Sequence, residues 1–278
     1  MALSSFQRTV CRLLASTRTE ALTGYVAGGV ALNEALDSPR RSRDIDVFHD
    51  SREALQATWS ADRATLSLHG YSLEILRELP EFVEVVASKE GEAVEIQWAR
   101  DSAFRFFPLL PHPDFGLTLH PFDLATNKIL ALVGRVEARD WVDALTCQQK
   151  VAPLGLLSWA ACGKDEGYTP PFIVDEANRN ARYSREEIGE LDWEGDAPDW
   201  VQLKTQWRQA VADARTIIGM LPPETLGQAV LDESGRVFNG DVAQLAAQLQ
   251  DGRLRFHTGH IGGAWPQIQK RKTDAPDA

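Results

Sequence analysis

Hydrophobic positions along the first hundred residues change period several times, and each change predicts an element. Phe6, Val10, Leu13 and Leu14 recur at helical spacing and predict a helix over 6–22, stopped by Gly24. Tyr25-Val26-Ala27 is a short apolar run of strand type. After Gly28-Gly29 the spacing is helical again through Val30, Ala31, Leu32 and Leu36, until Asp37-Ser38-Pro39 breaks it. Asp44-Ile45-Asp46-Val47 alternates polar and apolar, as a half-buried strand does. Ser51 is placed to cap a helix running to Leu66. Strands follow over 72–76, 82–87 and 94–99, the last two joined by the turn Lys89-Glu90-Gly91-Glu92.

Four prolines and Gly116 between Pro108 and Pro121 predict a loop and a boundary. Beyond it the period is helical over 122–133, 138–149 and 153–161, and a second loop covers 162–171. Residues 199–218 form a strongly amphipathic stretch, with Asp199 as its cap and Gly219 at its end. A small hairpin about Glu233-Ser234-Gly235, a helix over 241–249 and a Gly-rich irregular stretch over 252–263 complete the pattern. Residues from Lys270 onward read as unstructured. The fold class expected is α+β: a small mixed sheet with flanking helices over 1–120, then a mainly helical C-terminal domain over 121–278.

Composition changes this picture little. The 278 residues are 44% hydrophobic and 25% charged, enough for a sizeable core. A formal charge of -11 argues against broad adhesion to nucleic acid or anionic membrane, while leaving room for a local basic patch. Cys11, Cys147 and Cys162 are odd in number and far apart, which suits neither a disulfide framework nor a zinc site. With no signal-peptide pattern and no run near the roughly 20 apolar residues a membrane span needs, a soluble cytoplasmic protein is expected.

The candidate chemistry lies in a strand, a Gly-Gly turn, a helix start and a second strand. Glycines let a backbone approach a ligand, and the free N–H groups of a helix start hold phosphate oxygens, so Gly28 and Gly29 are candidate nucleotide-binding residues. Asp44 and Asp46 are two apart on a strand, so both carboxylates point to one face. Paired hard oxygen ligands suit Mg2+ carrying a triphosphate. Arg40, Arg41 and Arg43 precede them, placed to neutralise phosphate charge. Trp193, Trp200 and Trp207, seven apart, read as a packed helical seam, and Arg179, Arg182 and Arg185 as a solvent-facing loop.

The run YVAGGVALNEALDSPRRSRDIDVF resembles the first motif of the AbiEii-type nucleotidyltransferase family, part of the polymerase-beta-like superfamily. Gly28-Gly29 stand at the family's glycines, Asp44-Ile45-Asp46 at its Asp-x-Asp, and Arg40, Arg41 and Ser42 loosely at its basic element. HPFDLATNKILALVGRVEARDWVDAL resembles the later motifs, which fall on Asp123, Lys128, Arg139, Asp140 and Asp143. The resemblance covers residues 20 to 150. It implies transfer of NMP from an NTP to an acceptor hydroxyl, with Asp44, Asp46, Lys128 and Asp140 as catalytic residues and Mg2+ as cofactor. It implies nucleotide contacts from Gly28, Gly29, Arg40, Ser42, Arg43 and Lys128. Asp140 would act as a base or would orient Lys128 or Arg139. The superfamily's third metal carboxylate aligns with Gln97, and Glu95 on the same strand face would take its place beside Asp44 and Asp46. The implied partners are an NTP, an acceptor such as a tRNA end or a small molecule, and the antitoxin of a toxin–antitoxin pair. Two other readings stand beside this one: a nucleotide- or partner-binding protein with catalysis weakened at Gln97, and a structural protein with an exposed Asp-x-Asp.

Overall fold

The structure, a computed structural model, describes residues 3–18 and 24–267. Leu22 at the end of the predicted first helix, and the basic run Lys270-Arg271-Lys272, lie outside the described residues. The first half contains α1 (Ser5–Arg18), β1 (Tyr25–Ala27), α2 (Gly28–Ala35), β2 (Asp44–His49) and α3 (Arg52–Leu68). A meander of β3 (Ser72–Leu79), β4 (Phe82–Lys89) and β5 (Glu92–Arg100) follows. Next come β6 (Phe104–Arg105), β7 (Leu110–His112) and β8 (Gly116–Thr118). Helices α4 (Pro121–Gly134), α5 (Ala138–Lys150), α6 (Leu154–Ala161), α7 (Pro170–Asn180), α8 (Arg185–Gly189) and α9 (Trp200–Met220) then dominate. The described chain ends with β9 (Ala229–Leu231), α10 (Val242–Gln250), β10 (Arg255–His257) and β11 (His260–Ile261).

A seven-stranded mixed sheet in the order β3-β4-β5-β2-β1-β8-β7 organises the first half. β2 is central, antiparallel to β1 and parallel to β5. Its alternation decides which face is covered: Ile45 and Val47 are fully buried, while Asp44, Asp46 and Phe48 are half-buried on the opposite side. The covered face packs on α1 and α3. Trp98 is completely buried and donates from Nε1 to Asp62 Oδ2 at 2.8 Å. Caps read from sequence are made: Ser51 accepts from the Ala54 amide and Asp199 from the Gln202 amide. The α+β expectation is met, with a mixed sheet flanked by helices and a helix-rich second half.

Several elements depart from the pattern-based reading. The predicted loop at 108–121 contains β7 and β8, and β8 joins the main sheet beside β1. Arg179, Arg182 and Arg185 are all exposed as expected, but only Arg182 lies in a loop, since Arg179 lies in the last turn of α7 and Arg185 opens α8, held by the capping box of Ser184 and Glu187. β9 pairs with β10, although Leu231 also bridges Val237 across the predicted hairpin turn. β11 pairs with β6, placing residues near the chain's end against the first half. Of the tryptophan seam, Trp207 is buried edge-on to Trp141 at 6.1 Å, while Trp193 and Trp200 are half-buried. No helix among the described residues is long and apolar enough to cross a membrane.

Candidate active site

β1 ends at Ala27, directly across the ladder from Asp46, and the chain turns into α2 at once. Gly28 has φ +65°, and a Cβ there would stand 1.8 Å from Asp46 Oδ2. Only glycine lets the helix begin so close to that carboxylate. A Cβ on Gly29 would stand 2.6 Å from Ser42 Oγ, so the second glycine admits the loop entering β2. α2 has no side-chain cap, which leaves its first amides available to an outside acceptor.

Asp44 and Asp46 share the open face of β2, as the alternation requires. Asp44 Oδ1 accepts from Ser42 Oγ at 2.7 Å, and Asp44 Oδ2 stands 3.5 Å from Arg139 Nη1. Burial pushes the Asp46 carboxyl up to about 7, and the neighbouring charge of Asp44 adds to the shift. Lys128, Arg135 and Arg139 act in the opposite sense without cancelling it. Across the parallel ladder Glu95 pairs with Asp44 and Gln97 with Asp46. Gln97 Nε2 donates to Glu95 Oε1 at 2.7 Å and to Glu84 Oε1 at 3.1 Å, so the amide stands as a neutral bridge between two acids. Among the described residues no three His, Cys, Asp or Glu side chains stand close enough to hold a metal ion, so Asp44, Asp46 and Glu95 are not gathered into one ligand set.

A cavity of about 540 Å³ lies between this face and α4, lined among others by Asp46, Phe48, Gln97, Asp101, Lys128 and Arg135. Lys128 is buried and fixed from behind. Its Nζ donates to Asp140 Oδ1 at 2.7 Å and stands 3.1 Å from Asp143 Oδ2. Burial acts to lower the Lys128 amine, but the two carboxylates outweigh it and hold it above its ordinary value. Arg135 Nε donates to Asp140 Oδ2 at 2.7 Å. Burial would raise the Asp140 carboxyl, yet Lys128 and Arg135 together hold it below its ordinary range. A wholly buried, doubly paired carboxylate of that kind is a poor base. The geometry therefore corrects the reading of Asp140 as a base: it positions Lys128 and Arg135, and Arg139 reaches Asp44 instead.

Arg40 is corrected in the same way. Its Nε and Nη2 each donate to Asp143 at 2.7 Å and Nη1 donates to the Arg41 carbonyl, so the guanidinium is spent inside the protein. Ser42 is likewise buried and turned onto Asp44. Arg43 is exposed and, with Arg41 and Arg139, borders a separate cavity of about 390 Å³. Arg40→Ala is expected to destabilise the fold by about 3 kcal/mol, because a buried charge pair loses one partner, while NTP affinity stays within about twofold. Denaturant melts and titration calorimetry on one preparation check both halves.

Arg135 went unread in the sequence. Its one signal was its position seven residues after Lys128, two helical turns along the same face. Asn127 and Asp101, which also line the cavity, carried no local pattern.

No protein-family model matches the chain, and no curated protein matches it. Solved structures similar to it include MenT4, a nucleotidyltransferase toxin from Mycobacterium tuberculosis. That alignment is 13% identical, with a TM-score of 0.49 over 78% of this chain and 84% of that one. JHP933 from Helicobacter pylori aligns at 14% identity and TM-score 0.48, over 78% and 94% of the two chains. A Thermotoga maritima CCA-adding enzyme complexed with tRNA aligns at 13% identity and TM-score 0.28, over 78% and 70%.

Proposed function

We propose that this chain transfers a nucleotidyl group from an NTP to an acceptor hydroxyl. One observation carries the reading: Gly28 is pressed onto Asp46, with Asp44 beside it, and the buried Lys128 of α4 helps line the cavity over that face. Asp44 and Asp46 supply two hard oxygen donors on the open face of β2. That donor set fits magnesium, which takes one or two carboxylates together with phosphate oxygens and water. When bound, the ion would stabilise charge building on the α-phosphate.

The protein's own groups do the rest. The uncapped amides at the start of α2 hold phosphate oxygens, and Lys128 and Arg135 balance the charge of the departing pyrophosphate. The acceptor hydroxyl gives up its proton to solvent as its oxygen forms a bond to the α-phosphorus and the bond from that phosphorus to the pyrophosphate oxygen breaks. Asp140 and Asp143 keep Lys128 charged and aimed. The resemblance of residues 20 to 150 to the AbiEii-type family supports a tRNA end or a small-molecule hydroxyl as acceptor, and an antitoxin as partner.

Thermal-shift and pyrophosphate-release measurements with magnesium and each of the four NTPs, with and without bulk tRNA, test this. Stabilisation by an NTP and release dependent on acceptor are expected. Absence of stabilisation by any NTP overturns the reading. Gln97 favours a second reading, nucleotide binding without transfer, since an amide stands where an acid was expected. Under it NTPs would stabilise the protein without release, and Gln97→Asp would gain release.

A further inference from the structure

Beside the main cavity lies a smaller one of about 220 Å³. Asp101, Asn127 and Leu130 line both, so the smaller is an annex of the larger. Its place along the sheet is set by Tyr25, which pairs with Phe48 two residues beyond Asp46, roughly 7 Å along the strand. The Tyr25 and Phe48 rings stack with centroids 6.2 Å apart and planes 26° apart. Phe48 belongs to the main cavity and Tyr25 to the annex, so an aromatic shelf leads from the carboxylates into the annex.

Arg105 forms one wall of the annex and is only 2% exposed. Its Cζ lies 5.0 Å from the centroid of the Tyr25 ring. Nη2 donates to Asp50, and Nε donates to the Ala103 carbonyl at 3.3 Å. Nη1 is buried without a partner. A buried guanidinium donor left unmade is costly and calls for an explanation. Lys164, by contrast, is spent on Asp123 at 2.8 Å and on Asn127 Oδ1 at 2.7 Å. That second bond commits the oxygen of Asn127 and leaves its Nδ2 as a further donor. The annex thus combines an aromatic wall with donors from Arg105 and Asn127, beside the carboxylates of Asp101 and Asp165.

We propose, resting on the transfer reading above, that the annex receives the nucleobase of the donor NTP along Phe48 and Tyr25, and that Arg105 Nη1 donates to an exocyclic carbonyl oxygen of that base. Arg105 is then a specificity-determining residue. Uracil O4 and guanine O6 are such oxygens. Cytosine and adenine present an amino group at that position and leave the guanidinium unpaired, the kind of mismatch that a polar site rejects strongly.

Titration calorimetry of the full chain with magnesium and CTP, UTP, GTP, ATP or inorganic tripolyphosphate tests the assignment. In the wild type, UTP and GTP should bind at least about tenfold tighter than CTP and ATP. Arg105→Lys keeps a cation for Asp50 but loses the forked donor. It should narrow that preference to within about threefold and leave tripolyphosphate affinity unchanged. Ser102→Trp fills the annex from its exposed lip without touching the main cavity, and should have the same effect should the lysine variant not fold. ATP or CTP binding as tightly as UTP and GTP in the wild type, or a preference that survives in a folded variant, overturns the annex while tripolyphosphate binding keeps the transfer reading intact. Binding of neither tripolyphosphate nor any NTP overturns both.

Discussion

Replacing Asp46 by asparagine is expected to abolish nucleotidyl transfer and, at the same time, to stabilise the protein at pH 8. The two effects share a cause. Asp46 is half-buried beside Asp44, and its carboxyl titrates at about 7 in the fold, against an ordinary value of 3.8. A carboxyl raised on folding binds more protons in the native state than in the unfolded one. Its favourable contribution is therefore complete below about pH 4 and is lost as pH rises through about 7. Asparagine has no charge to bury, so wild type and Asp46→Asn should melt together near pH 4, draw apart as pH rises to about 7, and keep a constant separation above it. The variant should then melt higher, by about 3 °C for each kcal/mol gained. Magnesium with an NTP should close that gap from the wild-type side only. Transfer should fall by at least about a thousandfold, the order expected when an ion supplying several kcal/mol of charge stabilisation loses a ligand. Equal melting temperatures at pH 8, or retained turnover, would sink the assignment of Asp46.

Lys128→Met has the opposite sign on stability. The amine balances Asp140 and Asp143, both fully buried, so its removal leaves those carboxylates with Arg135 and Arg40 alone. A loss of about 3 kcal/mol is expected, at the lower end for breaking buried pairs because each acid keeps one partner. The deficit should shrink in acid, where Asp140, no longer held down by the amine, takes up its proton in the variant before it does in the wild type. Transfer should fall at least about a hundredfold even at temperatures where the variant is folded, since charge on the leaving pyrophosphate loses its fixed counter-ion. Melts between pH 4 and pH 8 and single-turnover transfer on the folded variant measure the two losses separately. An unchanged melting temperature would mean that Lys128 does not hold this network together.

What could be read in the sequence was what local geometry dictates. The alternation of Asp44 to Val47 needs only the two-residue period of a strand, and it correctly placed both carboxylates on one face. The Gly-Gly turn was legible for a related reason, although it is Asp46 and Ser42 that leave no room for side chains there. Illegible features depended on partners far along the chain. Arg40 precedes the carboxylates and looked available to phosphate, but Asp143, 103 residues later, takes both ends of its fork. Strands of two or three residues, such as β6, β8 and β11, are too short to show a period, and their pairing is set by distant chain. Lys128 and Asp140 came from family resemblance alone, because nothing in helical periodicity distinguishes a buried ion pair from two surface charges.

The pairing of β6 with β11 has a consequence in time. Residues 104–107 carry Arg105 and the two amides, of Phe106 and Phe107, that hold Asp123 at 2.9 and 3.0 Å. They are clamped by His260 and Ile261 across the ladder, and by His257 Nε2 at 2.8 Å from the Phe106 carbonyl. On the ribosome, residues 25–105 emerge well before the clamp does. Strands β1 to β5 and their carboxylates can therefore pair while the wall beside them is still loose, and that wall acquires its final shape only after about 150 further residues have been made, about eight to thirty seconds at ordinary elongation rates.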